Sequence, residues 1–279
     1  MKRLVITDVD NTLFDWQKLW YECFSAMSEK AIEISGIDSN QFYAECSSLH
    51  QQHGTSEYSF VLTELPSFQE MYGRGVREAM RPAIDEFRKA RNNNLMLYSG
   101  VSDTLDELRG RGITIAAFTE SKAYYTNSRF RKLGLDGKID FLYSPKDHDL
   151  PLDRKSEYSE LESTQHRFIP EGESKPNPHI LLSIVEQLGF AVSDAIYIGD
   201  NLLKDVYMAQ QAEVSDVYAE YGAAQHRAME YDLLKKVTHW TPEMIERERC
   251  ALRPGVVKPT FVAKDGFREI IDILESKNG

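Results

Sequence analysis

The sequence predicts an α/β protein: a doubly wound parallel sheet with an α-helical domain inserted after the first strand. Three observations carry that reading. Short apolar runs rich in β-branched residues recur at Leu4-Val5-Ile6-Thr7, at 113–118 and at 195–198, as buried parallel strands do. The second and third runs each follow a helical pattern closed by a glycine, Gly112 and Gly189. Helix, glycine and strand repeated in that order make βαβ units. Residues 15–95 carry few such runs and read as helices.

The elements follow in order. After the first strand, Trp16, Trp20 and Phe24 recur at i, i+4 and i+8, the packed face of a helix. A charged, helix-favouring stretch over 70–91 is broken by Pro82. Arg74, Arg77 and Arg81 share one face of it, with Glu70, Glu78 and Asp85 spaced to pair with them. The helix over 103–111 packs through Leu105 and Leu108, and the one over 180–188 through Leu181, Ile184, Val185 and Leu188. Residues 145–173 are polar, hold Pro145, Pro151 and Pro170, and read as a long structureless insertion. Residues 223–257 form a charged helical excursion before a last strand at 260–262 and a final helix over 266–274. The expected division is therefore 1–14 and 96–279 for the sheet domain, carrying both extra segments, and 15–95 for the helical domain, with hinges at its edges.

Length and charge agree. At roughly 150 residues per domain, 279 residues make nearly two domains, and 42% apolar residues suffice for a real core. The formal charge is 33 − 44 = −11, which argues against nucleic-acid binding by a basic footprint. Cys23, Cys46 and Cys250 form an odd set without metal-ligand spacing, as expected for a reducing cytoplasm. The first strand starts too early for a signal peptide to precede it, and no uncharged apolar run approaches a membrane span, so the expectation is a soluble cytoplasmic protein.

The chemistry sits at strand ends. Asp8 and Asp10 follow the first strand, Asp200 follows the third, and Asp205 lies one turn into the next helix. Turn and capping preferences explain one such acid, not four converging on one sheet edge. Open α/β sheets bind ligands beyond the carboxyl ends of their strands, where neighbours lie about 4.8 Å apart. These carboxylates can share one hard cation, and Mg²⁺ suits an oxygen-only site that also takes a phosphate oxygen. Lys175, beside Pro176 and just before the helix near Pro178, supplies a protein cation. An anion bound there would reverse the opposition between a lysine and a helix N-terminus. Thr119 ends the middle strand, where a hydroxyl and free N–H groups can hold phosphate oxygens.

These pieces, in this order, resemble the haloacid dehalogenase-like superfamily. The matching motifs are Asp-x-Asp-x-Thr at 8–12, Thr119, Lys175-Pro176-x-Pro178 and Gly199-Asp200-x₄-Asp205. The resemblance implies a Rossmann-like core and Mg²⁺-dependent hydrolysis of a small phosphorylated metabolite. It makes Asp8 the nucleophile and Asp10 the general acid and then base, its carbonyl also a metal ligand. Thr119, Lys175 and the position of Glu120 hold the phosphoryl group. Asp8 and Asp200 ligate the metal, and Asp205 ligates it through water or orients Lys175. The acid at Asp10 favours phosphate esters over carbon–halogen cleavage, and the helical insertion takes the place of the family's cap. Two other readings share the fold: a phosphomutase, and a non-catalytic binding protein.

One residue departs from the family pattern. Glu120 stands where Asn is usual, so its carboxylate either turns away from the phosphate or meets a cationic or hydroxyl part of the substrate. Elsewhere, His50, Gln51, His53 and Gly54 form a polar cluster, with His53-Gly54-Thr55 faintly similar to a cap segment of members acting on nucleotides. His226 and His239 read as surface. Monomer and homodimer both remain open.

Overall fold

Residues 4–7 are wholly apolar but for a terminal threonine, and in the computed structural model all four are buried as the central strand β1 (Leu4–Thr7). The structure describes residues 2–147, 160–223, 227–251 and 256–276. The chain leaves β1 for β2 (Thr114–Phe118), β3 (Phe141–Ser144) and β4 (Gln165–Phe168) on one side. It then returns to β5 (Ala195–Gly199), β6 (Ser215–Ala219) and β7 (Phe261–Ala263) on the other. All seven pair in parallel, in the order β4-β3-β2-β1-β5-β6-β7. Thr7 stands opposite Ala117 of β2 and Ile198 of β5, so the three strands that carry the predicted acids and Thr119 end level. The winding direction reverses between β1 and β5, and that switch point is where such sheets bind ligands.

Helices cover the sheet because its strands are apolar on both faces. Leu4, Ile6, Phe118 and Tyr197 pack against Ile180, Leu181, Ile184 and Val185 of the helix Pro178–Gln187. The alternate residues Val5, Ile115, Ile196 and Ile198 are equally buried. Gly112 and Gly189 stop their helices in the left-handed region, at φ 72° and 75°.

The chain divides into two compact units: 1–15, 96–223 and 248–279 hold the sheet, and 16–95 with 224–247 form the helical unit. In the latter, Trp16–Ser35 and Arg81–Asn94 pack along each other, with Ser39–His53 and Pro66–Tyr72 among the shorter helices. Trp20 and Phe24 stack at 5.0 Å between ring centroids within a core that includes Phe42 and Phe68. The stretch breaks twice, at Gly73–Gly75 and at Met80, where Val76–Ala79 ends and Pro82 sits in the first turn of Arg81–Asn94.

Two expectations are corrected. The excursion 223–257 does not belong wholly with the sheet. Its helix Ala228–Val237 sends Leu234 and Val237 into the helical core, so residues 224–247 join that unit. The segment 145–173 is not structureless, because β4 lies inside it. The four residues of β4 are all at least partly exposed on a sheet edge, so no apolar run marks them. Residues 148–159 and His226 lie outside the described residues.

Candidate active site

Backbone pairing delivers the acids. The Asp8 N–H donates to Ile198 O at 2.8 Å, which carries the β1–β5 ladder one residue past the strand. Asn11 then turns the chain at φ 62°, a conformation asparagine tolerates better than most residues. On the other side, Thr119 N–H donates to Tyr143 O at 3.0 Å, fixing the end of β2.

Lys175 is the centre of the site. Its Nζ lies 2.6 Å from Asp8 Oδ1 and 2.8 Å from Asp205 Oδ1, with the lysine 6% exposed. Phe118 and Tyr197 flank the ammonium at 4.8 and 5.5 Å from their ring centroids. Burial works to lower the pKa of Lys175, and Asp205 and Asp8 together carry it well above the ordinary value. Thr12 donates to Asp8 Oδ2 at 3.1 Å, Tyr197 donates to Asp205 Oδ1 at 2.8 Å, and Asn201 N–H donates to Asp205 Oδ2 at 3.0 Å. Gly199 makes this possible: a Cβ there would lie 2.4 Å from Asp205 Cγ.

The site holds more acid than one lysine can balance. Asp8, Asp200 and Asp205 can each present an oxygen within 4.8 Å of the others. Burial pushes Asp8 up to about 7 against the pull of Lys175, with Asp205 and Asp10 adding to the rise. Asp200 is likewise raised well above the ordinary carboxylate range, first by burial and then by Asp8 and Asp205. Three crowded oxygen donors with too little positive charge are what a hard divalent cation fits, so the residues suit Mg²⁺.

Asp10 points to a second cluster. Its Oδ2 accepts from Thr119 Oγ1 at 3.1 Å and from Ser121 Oγ at 2.7 Å, and its Oδ1 lies 3.3 Å from Arg129 Nη1. Arg129, 8% exposed, comes from the helix Ala123–Lys132 and also stacks over Phe14 at 5.5 Å. Sequence reading missed it. The signal was an arginine in line with Thr126 and Phe130 on that helix's buried face.

The Glu120 carboxylate is taken up by protein groups, in keeping with the first of its two alternatives: Oε1 accepts the Lys175 N–H at 3.1 Å and Oε2 meets Lys204 Nζ at 2.5 Å. Burial alone would raise its pKa, and the charge and hydrogen bond of Lys204, helped by Lys175, hold it below the ordinary value. The turn after β6 was also missed. Tyr221 donates to Thr12 O at 2.7 Å, and Gly222 lies so close to the Asp8–Thr12 loop that a Cβ there would stand 1.7 Å from Asn11 O.

The weaker sequence signals resolve as structure. His50 is 1% exposed with Nδ1 2.6 Å from Val237 O, and His53 stacks on Tyr58 at 3.7 Å. His239, expected at the surface, is half-buried with Nδ1 2.9 Å from Ser56 Oγ. Among the described residues no helix is long and apolar enough to cross a membrane.

Comparison with known proteins gives a consistent result. The sequence profile of haloacid dehalogenase-like hydrolases matches residues 2–213. A glyceraldehyde 3-phosphate phosphatase from Methanopyrus kandleri is 23% identical over 232 residues, covering 81% of this chain and 87% of that one. The fold is shared with a putative HAD-hydrolase from Bacillus subtilis bound to magnesium, at TM-score 0.54 and 15% identity over 98% of this chain and 99% of that one. It is also shared with a HAD phosphatase from Thermococcus onnurineus, at TM-score 0.53 and 17% identity over 98% of each chain.

Proposed function

The chain belongs to the haloacid dehalogenase-like hydrolases, and from that footing we propose that it hydrolyses a small phosphate monoester with Mg²⁺ as cofactor. The observation that carries this reading is Lys175 bridging Asp8 and Asp205 beside Asp200, with Asp10 separately held two residues from Asp8. Phosphoryl transfer asks for positioning and neutralised oxygens more than for elaborate covalent chemistry.

Asp8 is the nucleophile. As its carboxylate oxygen bonds to phosphorus, the bond from phosphorus to the ester oxygen breaks, and Asp10 gives its proton to the departing oxygen. Water then attacks the aspartyl-phosphate, loses a proton to Asp10, and releases phosphate and the free Asp8 carboxylate. Lys175 holds Asp8 in place and balances charge on the phosphoryl oxygens, with the Thr119 hydroxyl and neighbouring N–H groups as further donors. Asp8, Asp200, the Asp10 carbonyl and Asp205, the last directly or through water, would hold Mg²⁺, which when bound neutralises phosphoryl charge. The acid at Asp10, able to protonate a leaving alkoxide, favours phosphate esters over halides.

The named relative acts on a triose phosphate, which supports a small sugar phosphate as the substrate class, with the inserted helical unit as the selective cap. The test is hydrolysis of 4-nitrophenyl phosphate with and without Mg²⁺, by wild type and by Asp8→Asn. The substitution should lower kcat about a thousandfold, and chelation of Mg²⁺ should abolish turnover. Equal rates in the two proteins overturn the assignment of Asp8. Free phosphate released from sugar phosphates separates hydrolysis from a mutase, which would move phosphate between positions.

A further inference from the structure

Glu120 and Lys204 are acid and base where neither is required by the chemistry proposed above. Glu120 follows Thr119 at the end of β2, and Lys204 immediately precedes Asp205. They meet through an ion pair of 2.5 Å, each side chain 29% exposed. The other Glu120 oxygen accepts the backbone N–H of Lys175. One carboxylate thus ties together three segments: the turn carrying Thr119, the loop carrying Lys175 and the helical turn Leu202–Tyr207 carrying Lys204 and Asp205.

We propose that Glu120 and Lys204 form a positioning pair, in which Glu120 fixes the backbone of Lys175 and Lys204 cancels the carboxylate charge beside the anionic substrate. The inference rests on the phosphatase reading and gives the pair two separable duties. The Lys175 N–H needs an acceptor, which any side-chain oxygen at position 120 supplies. The negative charge needs a partner, because an uncompensated carboxylate near the site repels a phosphate. Lys204 has the converse effect: alone it would be a surplus cation next to Asp205.

Four variants separate these duties. Glu120→Gln keeps an acceptor for the Lys175 N–H and should retain kcat within about threefold, whereas Glu120→Leu loses the acceptor and should lower kcat about tenfold with KM nearly unchanged. Lys204→Met leaves the carboxylate unpaired and should raise KM for 4-nitrophenyl phosphate about five- to tenfold. Glu120→Gln combined with Lys204→Met removes both charges and should bring KM back to within about twofold of wild type. A purely structural role would move thermal stability and not this split between kcat and KM, so melting temperatures are recorded for each protein. Binding of inorganic phosphate by calorimetry, in Mg²⁺, should follow the same order as KM. Equal kcat in the Gln and Leu variants overturns the backbone role. An unchanged KM in Lys204→Met, or no recovery in the double variant, overturns the charge role. A wild type with no turnover of any phosphate ester overturns the phosphatase reading itself and this inference with it. Turnover in wild type with four indifferent variants overturns the inference alone.

Discussion

Arg129 shows at the scale of one residue how a site is built from distant pieces. A buried guanidinium needs charge and hydrogen bonds to compensate its desolvation, and Arg129 finds them in Asp10 Oδ1 and Ser121 Oγ. It fixes the carboxylate that the proposed reaction needs to move a proton. Arg129→Met should therefore lower kcat ten- to a hundredfold with a small change in KM, and Arg129→Lys should fall between. Steady-state rates on an aryl phosphate decide it: a kcat within about twofold of wild type in the Met variant would show that Asp10 needs no such support. Asp8, Asp200 and Lys175 were legible because each stands at the end of an apolar run or beside a proline. Arg129, Lys204 and Tyr197 were not. Arg129 reaches Asp10 across 119 residues and Lys204 reaches Glu120 across 84, and a single sequence carries no trace of such pairings.

At the scale of elements, the sheet's centre and its edge strand β7 were readable, and β3, β4 and β6 were not. β1, β2 and β5 are buried on both faces and so appear as continuous apolar runs. β6 hides behind Asp216, a buried acid held by Thr260 N–H and Oγ at 2.7 and 2.6 Å and by Gln210. β4 is an edge strand, entered from a turn in which the Asp136 carboxylate accepts three backbone N–H groups, those of Glu162, Ser163 and Thr164. The turn after β6 matters most for the site. Gly222 leaves no room for a side chain against Asn11, so Gly222→Ala must displace either its own turn or the loop of Asp8 and Asp10. The expected result is loss of most turnover together with a cost of about 2–4 kcal/mol in stability, seen by urea unfolding. Wild-type activity in that variant would mean the two loops part without consequence.

At the scale of the whole molecule, two buried histidines, one in each unit, make a contribution to stability whose pH dependence has a determined sign. Burial holds both His50 in the helical unit and His166 in the sheet unit at about 4, against about 6.5 in an unfolded chain. Below pH 6.5 the unfolded chain takes up protons that the folded chain refuses. The histidines' contribution to stability is therefore fully present above 6.5 and falls as pH drops toward 4. His50 alone should contribute about 2 kcal/mol of loss between pH 7.5 and 5. Urea midpoints for wild type and His50→Gln at those two pH values test this; an equal loss in both proteins would assign the acid sensitivity to other groups. The formal charge of −11 includes the acid cluster itself. The expected single insertion was too simple, because the helical unit is assembled from 16–95 and 224–247. The backbone thus passes between the units at 15/16, 95/96, 223/224 and 247/248. That interleaving makes the helical unit inseparable as a cassette. Excising 16–95 alone would strand Leu234 and Val237 without the partners that cover them. Exchanging this unit with that of another family member requires grafting both segments at once. By the same token, recombination at the first pair of junctions alone should give a chain that misfolds.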